Sequence, residues 1–532
     1  MARYTEEELN KCSKKMLITL FLSMQDQLDA LNKNMELLIE QVAMANQKRF
    51  GRSSEQISGQ LTLDDYFNEA EAITENKYIL EPEFEDVVVK RRKTKGKREE
   101  DLKGIDTEII PLDIDKEKLI EMFPNGYKRL PDEVYKRLEF IPQTFKVKEY
   151  HVAVYAAKDD TTMVKADRPK DLLRNSIATP SLVAALYNGK FVNALPINRM
   201  SEDFKRMDVN ISRQVMANWT IQCTEKYLSI LYDELHKQLY KSKVLQADET
   251  PVLVRKDGRP AGSKSYMWVY RTGKMYNSSP IVIYEYQRTR KSDHPRKFLE
   301  NYKGTVVTDG YQVYHTLENE MEDLIIAGCW SHARRRFSEI IKTFGNSTKE
   351  NDKPKVLIAD KALKQINAMY KIEQSLKDLT PIERQEEREL SLKPLVEAFF
   401  AWAKENKTNV PGNSATGKAL TYCINQEKYL KTFLSNGEVP MDNNAAEQAI
   451  RGFCIGKKNW VIIDTTYGAQ ASAIAYSIAE TAKANNLKPY KYFEYLLTEI
   501  PKHMDDKSTD FIKELLPWSD KLPEEIRKGI EK

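Results

Sequence analysis

The chain has 532 residues, 41% of them hydrophobic and 30% charged, and its 83 basic and 79 acidic side chains leave a net charge of +4. This length predicts several structural units with a sizeable core, and because we find neither an apolar run of about 18 residues nor a signal peptide, we expect neither a membrane-spanning nor a secreted protein. The five cysteines are scattered, odd in number and without a C-x-x-C pair, which is typical of a reducing compartment and argues against a disulfide scaffold or a thiolate zinc site.

Residues 1–50 contain a long helical pattern, at 15–47. Its apolar residues recur at alternating steps of three and four over four heptads, without Gly or Pro. They are Phe21, Met24, Leu28, Leu31, Met35, Leu38, Val42 and Ala45. This pattern predicts a coiled coil through which the chain self-associates, and packing of the helix against its own protein is the alternative.

A charged linker is predicted next, over residues 51–105. Its acidic first part is followed by "VKRRKTKGKR" at 89–98, in which Lys95 and Lys97 flank a glycine. Cations that flank a glycine can lie deep in a DNA minor groove, so Lys95 and Lys97 are candidate DNA contacts. A solvated basic run is the alternative.

Residues 106–178 show short alternating runs that predict a small β module, and residues 179–240 become helical. Three apolar-periodic segments lie at 181–189, 196–207 and 212–228. A short helix, a tight turn and a second helix capped by Ser212 indicate a helix-turn-helix, which would bring Ser212, Arg213 and Asn218 to the DNA major groove. Another packing of three helices would give the same pattern.

Five strand-like segments follow between residues 241 and 344, in the order β-β-β-α-β-α-β-α. They are "KVLQADETPV", "SYMWVYRT", "SPIVIYEYQ", "GTVVTDGYQVY" and "DLIIAGCWSHARRRF", the last of which continues into a basic helix. Residues 345–436 are predicted to be amphipathic helices, and residues 437–490 contain a further short strand between helices. Residues 491–532 are predicted to form a helical tail.

Three carboxylates stand out in this part of the chain. Asp248 and Asp309 end apolar strands, and Glu447 lies in a short predicted helix. If the first and fourth strands are adjacent, the two aspartates face each other, and a divalent cation between them would offset their repulsion. Two Mg²⁺ or Mn²⁺ ions, about 3.5–4 Å apart, could then serve an in-line phosphoryl displacement.

Each acid also has a local interpretation. Asp309 precedes a glycine and is typical of a turn, and Asp248 could form a solvated pair with Glu249. Glu447 could close a capping box with Asn444 and form an ion pair with Arg451, four residues later.

Several longer strings resemble successive landmarks of the IS66 family of bacterial insertion-sequence transposases. They are "KRFGRSSEQ", "LQADETPV", "VVTDGYQVY", "CWSHARRRF", "MDNNAAEQAIRGFCIGKKNW", "YSIAETAKANN" and "ELLPW", and they span nearly the whole chain in order. The resemblance implies a multidomain α+β/α protein with an RNase H-like mixed α/β catalytic domain of the DDE type. That domain would comprise residues 241–344 and 437–490, separated by an all-helical insertion at 345–436.

In that resemblance, Asp248, Asp309 and Glu447 would bind two Mg²⁺ ions, for which Mn²⁺ can substitute, to cleave and transfer DNA strands at insertion-sequence ends. The implied partners are double-stranded DNA, further copies of the chain in at least a dimer, and small accessory proteins, in the bacterial cytoplasm at the nucleoid. Two alternatives are a DNA-binding regulator with a lapsed active site and a structure-selective nuclease on the same fold.

The resemblance also implies which side chains lie around the acids. Cys329 and His332 form a C-x-x-H pair beside Trp330, an aromatic residue that would handle DNA; alternatively the pair buttresses the site and Trp330 belongs to the core. Cations near the acids would contact phosphates, with solvated helix charges as the alternative. These cations are Arg334, Arg335, Arg336, Arg451, Lys457 and Lys458. Asp442 and Asn443 would hold the start of the helix that aims Glu447.

The β module departs from the family pattern. Relatives typically carry cysteine pairs for zinc there, whereas this chain has no cysteine between Cys12 and Cys223 and has Ala156 and Ala157 where thiolates would be expected. The module is thus zinc-ribbon-like without its ligands, and we expect no structural zinc.

Overall fold

The computed structural model describes residues 13–19, 21–25, 35, 109, 118, 143–156, 163–273, 279–345 and 357–528. The predicted linker, Lys95 and Lys97 and most of the predicted coiled coil lie outside these residues. Residues 14–19 and 21–25 are helical and expose large apolar side chains, among them Phe21 and Met24. None of the described helices is both long and apolar enough to cross a membrane.

A six-stranded mixed sheet is the centre of the fold. It is formed by β3 (Val244–Lys256), β4 (Lys264–Thr272), β5 (Val282–Gln287), β6 (Gly304–Thr308), β7 (Leu324–Gly328) and β8 (Ile462–Thr465). The strand order is β5-β4-β3-β6-β7, and β8 pairs with the far end of β3. A two-stranded sheet, β1 (Val154–Ala156) with β2 (Met163–Lys165), precedes it in the chain.

The sheet combines antiparallel and parallel pairs. The pairs β3–β4 and β4–β5 are antiparallel, whereas β3–β6 and β6–β7 are parallel. Parallel strands need a crossover, and α5 (Asp293–Leu299) and α6 (Gln312–Glu320) supply it. The predicted order β-β-β-α-β-α-β-α is therefore found, and its first and fourth strands are neighbours.

Helices α1 (Pro180–Tyr187), α2 (Ile197–Arg206), α3 (Arg213–Cys223) and α4 (Ser229–Leu239) precede the sheet. The Ser212 hydroxyl accepts a hydrogen bond from the Val215 amide at 3.3 Å, as the predicted cap requires. Met216, Trp219 and Cys223 bury one side of α3, while Ser212 and the first turn of the helix remain exposed. A wide π turn at Thr224–Leu228 joins α3 to α4.

A helical region follows the basic helix α7 (Trp330–Gly345). It contains α8 (Ile358–Ser375), α9 (Pro381–Glu387), α10 (Lys393–Lys407), α11 (Ala415–Asn425) and α12 (Glu427–Lys431). Its apolar side chains share one core with the sheet, in which Phe399 and Leu430 join Val307 of β6. The helical region therefore packs directly against the sheet, beside β6.

The last helices, α13 (Asn444–Trp460), α14 (Thr466–Ala484) and α15 (Pro489–Glu499), complete the fold. On α14, Thr481 and Ser477 accept hydrogen bonds from the amides of Val282 and Tyr284, at 3.0 and 2.7 Å. Four residues of a helix and two residues of a strand both advance about 6 to 7 Å, so the two hydroxyls match alternate amides. In this way α14 covers the outer edge of β5, which would otherwise be free to pair with another chain.

Candidate active site

Asp248 and Asp309 lie where β6 ends beside β3. The parallel register pairs Gln246 with Val307, and continuing it by two residues places Asp248 beside Asp309. β6 ends at Thr308, directly before Asp309, whereas β3 continues to Lys256, so Asp248 lies within its strand and not at its end as predicted. β8 does not join β3 until Leu253. The edge of β3 between these two partners is therefore open at Asp248.

Helix α13 closes this open edge. Its N-cap, Asn443, donates from Nδ2 to the Ala247 carbonyl at 2.8 Å, and Lys457 donates from Nζ to the Pro251 carbonyl at 2.7 Å. A helix thus satisfies strand carbonyls at both of its ends, since buried carbonyls need partners. Lys457 is buried and committed to this bond, which contradicts the predicted phosphate contact.

Glu447 is held by neighbours from α7 and not by its own helix. Its Oε2 accepts a hydrogen bond from Arg335 Nη2 at 3.0 Å, and its Oε1 lies 3.5 Å from His332 Nδ1. The capping box is wrong, because the amide of Asn444 is capped by Asp442 Oδ1 at 3.1 Å. Arg451, the proposed ion-pair partner of Glu447, is half-buried elsewhere on the helix.

Asp442 anchors the entry to α13. Its carbonyl accepts a hydrogen bond from Gln246 Nε2 at 3.1 Å, which ties the helix start to β3. Burial raises the pKa of the Asp442 carboxyl to about 6, and the bond from the Asn444 amide opposes that shift. Asp442 and Asn443 therefore fix the start of the helix three residues before Glu447, in the position predicted for them.

The acids form a cluster of like charge, in which Asp248, Glu249 and Glu447 are buried and Asp309 is half-buried. Burial raises the pKa of Asp248 well above its ordinary value, and the nearby carboxylates of Glu249, Asp309 and Glu447 raise it further. Burial likewise raises the pKa of Glu249 to about 7, and the charge of Asp309 adds to the shift. The charged forms of Asp248 and Glu249 are therefore disfavoured, as expected for neighbouring carboxylates out of water.

Glu249 is part of this cluster, and the solvated pair considered for it is wrong. Only 5% of Glu249 is exposed, and Arg290 donates from Nε to its Oε1 at 2.7 Å. Arg290 in turn lies over the ring of Tyr311, 3.9 Å from its centroid, and its carbonyl accepts the Tyr311 hydroxyl at 2.8 Å. The sequence pattern did not identify Arg290 or Tyr311. The one signal for this part of the cluster is Glu249, which directly follows Asp248.

Asp309 both forms a turn, as its local interpretation predicts, and belongs to the acid cluster. Its Oδ1 accepts a hydrogen bond from the Tyr311 amide at 3.0 Å, and its carbonyl accepts the Tyr422 hydroxyl at 2.8 Å. Gly310 has φ +94, and a Cβ there would approach Tyr422 and Gln426 to 3.1 Å. Only glycine fits this turn, which brings the helical region against Asp309.

Cys329, His332 and Glu447 are all buried, and their ligand atoms lie within 4.8 Å of one another. Cys329 Sγ accepts a hydrogen bond from the Asn443 amide at 3.1 Å. The C-x-x-H pair therefore packs behind Glu447, as in the buttress interpretation. Neither Asp248 nor Asp309 belongs to this close group.

A divalent cation fits the donor set of the acids. Asp248, Asp309 and Glu447 lie at the same edge of the sheet, close enough for the other two carboxylates to raise the pKa of Asp248, and a cation would relieve this repulsion. Within the described chain, the buried Glu447 Oε1 accepts no hydrogen bond. Carboxylate oxygens suit Mg²⁺ or Mn²⁺, whereas the sulfur of Cys329 is a softer donor.

The side chain of Trp330 is not accessible for a contact with DNA. Its side chain is fully buried, its Nε1 donates to the Leu430 carbonyl at 2.8 Å, and its ring packs against Phe399 and Phe400. This placement contradicts the predicted DNA contact and agrees with the core alternative. His332 is also buried, against Glu447.

The remaining predicted DNA contacts divide by exposure. Arg334 donates to Asn367 Oδ1 at 2.8 Å and is half-buried. Arg336 is exposed, with its guanidinium 4.1 Å from the centroid of the Tyr422 ring. Lys458 and Arg451 are half-buried on α13, and the exposed candidates on and beside α3 are Ser212, Arg213 and Asn218.

Comparison with known proteins gives two family matches and several relatives. Residues 175–471, more than half of the chain, match the family described as "Transposase IS66 family", and residues 477–518 match "IS66 C-terminal element". The uncharacterized protein y4hP of Sinorhizobium fredii is 25% identical over 424 residues, which cover 77% of this chain and 76% of the relative. The uncharacterized protein y4qI of the same organism is 26% identical over 393 residues, which cover 72% and 70%.

Proposed function

Because the chain belongs to the IS66 family of transposases, we propose that it is a DDE-class enzyme that cleaves and joins DNA strands at the ends of an insertion sequence. One observation carries the proposal. Asp248, within β3, lies beside Asp309, directly after the adjacent parallel strand β6, and Glu447 comes from the helix that closes the sheet edge; the carboxylates of Asp309 and Glu447 are close enough to raise the pKa of the buried Asp248. The order of strands and the interrupting helical region support an RNase H-like catalytic domain.

Asp248, Asp309 and Glu447 would hold two Mg²⁺ ions, or Mn²⁺ in their place. When bound, such ions activate an attacking oxygen and stabilise the departing one in a phosphoryl displacement. The protein supplies the geometry: β3 and β6 fix the two aspartates, while His332 and Arg335 hold the carboxylate of Glu447. Cys329 lies beside that carboxylate and accepts a hydrogen bond from the amide of Asn443, the N-cap of the helix that carries Glu447.

The DNA would follow the exposed cations and the helix-turn-helix. In this proposal α2 and α3 form that motif, and Ser212, Arg213 and Asn218 reach the major groove from the exposed start of α3. Arg336 and Lys458 extend the positive surface beside the acids, together with Arg334 and Arg451. Lys95 and Lys97 stay predicted minor-groove contacts.

Assembly and location complete the proposal. The N-terminal helix would join at least two copies as a coiled coil, since its described apolar side chains are exposed. The enzyme would act on double-stranded DNA in the bacterial cytoplasm, at the nucleoid, with small accessory proteins. The β module would fold without zinc.

The test uses the full-length protein with duplex DNA that carries the segments flanking its coding sequence. We expect Mg²⁺-dependent cleavage and joining by the wild type, and unchanged DNA binding with no cleavage by Asp248→Asn and Glu447→Gln. Asp464→Asn is the matched control, because Asp464 is an exposed carboxylate that pairs with Lys256 on the same sheet. Cleavage by Asp248→Asn at the wild-type rate would overturn the proposal.

Other results identify the alternatives. Cleavage without joining, on DNA that lacks defined ends, would indicate a structure-selective nuclease. Specific binding by the wild type without any metal-dependent cleavage would indicate a regulator with a lapsed site.

A further inference from the structure

We infer that the helical region 357–435 is a positioning element of the active site, which holds Asp309 through Tyr422 and the segment before Glu447 through Arg388. This inference rests on the proposed function, because it concerns residues around the proposed metal ligands. It assigns a role to a region that is otherwise only an insertion between two halves of a domain.

Tyr422 fixes the backbone of Asp309. Its hydroxyl donates to the Asp309 carbonyl at 2.8 Å, while the Asp309 side chain accepts from the Tyr311 amide at 3.0 Å. One hydrogen bond therefore fixes the main chain of Asp309 and another fixes its side chain, and together they set the direction of its carboxylate. Gly310, at φ +94, lets the tyrosine approach this closely.

Further contacts attach the same part of the helical region to the elements beside Asp309. His315 of α6 stacks on Tyr429 of α12, with 3.7 Å between ring centroids, and Lys428 forms an ion pair with Glu318. Glu318 also accepts the Ile326 amide of β7 at 2.9 Å. The helical region thus contacts His315 and Glu318 of α6, and Glu318 also bonds β7. The hydrogen bond from Tyr422 to Asp309 is therefore one of a set of neighbouring contacts.

Arg388 fixes the segment that leads to Glu447. Its side chain is fully buried, and its Nη1 donates to the carbonyls of Phe433, Asn436 and Val439 at 2.7, 3.0 and 3.0 Å. Glu373 neutralises the charge by accepting from Nε at 2.9 Å and from Nη2 at 2.5 Å. A buried arginine is tolerated only with such a partner, and here its remaining donors all go to one stretch of backbone.

That stretch continues directly into α13. The Trp330 amide donates to the Met441 carbonyl at 3.1 Å, and Gln246 holds the Asp442 carbonyl at 3.1 Å. The segment is therefore fixed by Arg388 on one side and by the sheet on the other, before α13 begins at Asn444. Because Glu447 lies in the first turn of α13, the position of Arg388 contributes to the position of its carboxylate.

Both anchors belong to one helical region, so its internal packing sets the spacing between Asp309 and Glu447. A metal pair requires that spacing to be held within a few tenths of an ångström, since ligand positions outside the coordination sphere weaken binding. The region is accordingly expected to act on metal affinity, and to leave DNA recognition by α3 unchanged.

The test compares Tyr422→Phe with Tyr429→Phe in the full-length protein. Both variants lose one phenolic hydroxyl from the helical region, but Tyr429 contacts its neighbours His315 and Lys428 through its ring, which the Phe variant keeps. Mn²⁺ binding is measured by electron paramagnetic resonance without DNA, and the Mn²⁺ dependence of end cleavage is measured separately. We expect the Mn²⁺ dissociation constant to rise about 3- to 10-fold in Tyr422→Phe, the range for one lost hydrogen bond, and to stay unchanged in Tyr429→Phe.

Two further readouts separate positioning from packing. At saturating Mn²⁺, Tyr422→Phe should cleave within about twofold of the wild type and keep its affinity for DNA, because the acids themselves are intact. Arg388→Lys keeps the charge opposite Glu373 but lacks the planar fork, so it should also weaken Mn²⁺ binding. Unchanged Mn²⁺ affinity in Tyr422→Phe, with a lowered unfolding temperature alone, would overturn the inference.

Failure of the proposed function gives a different result. If the wild type binds Mn²⁺ but does not cleave end DNA, the proposed function fails, and the comparison of Mn²⁺ affinities still decides the role of Tyr422. If the wild type binds no Mn²⁺ in either assay, both the inference and the proposed metal site are overturned.

Discussion

Arg335 donates a hydrogen bond of 3.0 Å to Oε2 of Glu447, the carboxylate oxygen opposite the one that faces His332. The guanidinium and the carboxylate are both close to 90% buried, so each depends on the other for its charge. A cation from α7 thus occupies the place where a metal ion would compete for the same carboxylate.

We therefore predict that Arg335→Met destabilises the metal-free protein and strengthens its response to Mn²⁺. Removing one partner of a buried pair costs about 3 to 5 kcal/mol, and an added Mn²⁺ ion would restore a positive charge beside Glu447. Urea unfolding with and without Mn²⁺ measures both effects. Arg336→Met, one residue further on an exposed side of α7, is the control. Equal Mn²⁺ stabilisation of the wild type and Arg335→Met would contradict this prediction.

Asp248→Asn should have the opposite effect on the metal-free protein. Burial and the neighbouring carboxylates disfavour the charged form of Asp248, so an uncharged isostere relieves that repulsion. We expect a higher unfolding temperature without metal and no further rise with Mn²⁺, whereas the wild type should gain stability with Mn²⁺. Thermal unfolding over a series of Mn²⁺ concentrations checks this, and a lower unfolding temperature in the metal-free variant would count against it.

Glu285, on β5, gives a pH dependence that is separate from the site. Burial raises the pKa of Glu285 from 4.5 to about 7, so the folded state binds its proton more tightly than the unfolded state does. Below about pH 4.5 Glu285 is protonated in both states, so its burial costs no stability. The free energy of unfolding then falls as the pH rises to about 7 and stays reduced above that pH. The full cost is about 3 kcal/mol.

Glu285→Gln should accordingly stabilise the protein at pH 8 by up to about 3 kcal/mol and change little at pH 4. Urea unfolding at the two pH values measures the difference. Glu322→Gln removes a carboxylate from an exposed position and serves as control. A stabilisation of the same size at both pH values would show that the titration of Glu285 is not its cause.

Because α14 covers the outer edge of β5, we predict that Thr481 and Ser477, both in the "YSIAETAKANN" string, contribute to stability. Thr481→Val and Ser477→Ala would leave the buried amides of Val282 and Tyr284 without acceptors, at a cost of about 1 to 3 kcal/mol each. Ser472→Ala is the matched control, because the Ser472 hydroxyl donates only to the Gly468 carbonyl of its own helix. Chemical denaturation of the three variants checks the prediction, which requires Ser472→Ala to be the mildest.

Much of the sheet could be predicted because buried parallel strands have a distinct pattern. β6 is a short apolar run that ends before Asp309, and β3 does not alternate near Asp248, so both were recognisable as strands covered on two faces. Their adjacency was only a condition of the sequence analysis, and the pairing of β3 with β6 in the structure supplies it. The sequence pattern also placed the Ser212 cap, since capping is a local interaction.

The partners of single side chains could not be predicted in the same way. Lys457 has the spacing of an exposed helical cation, and its carbonyl partner, Pro251, is 206 positions away in the chain. Trp330 adjoins a basic run that suggested a surface, yet its neighbours in the core come from helices that begin beyond residue 357. Nor does any local pattern distinguish Tyr422, which reaches Asp309, from Tyr429, which does not.

The closure of β3 by α13 has a consequence for the order in which the protein can form. During synthesis, the central strand emerges almost 200 residues before Asn443, which bonds the Ala247 carbonyl. Until then its open edge offers unpaired carbonyls to any extended chain nearby, and contacts across such sequence distances form slowly. A nascent chain arrested before Asn443 would therefore expose an aggregation-prone strand and lack Glu447. Synthesis of the start of α13 thus completes the acid cluster and covers the open edge of β3 in the same step.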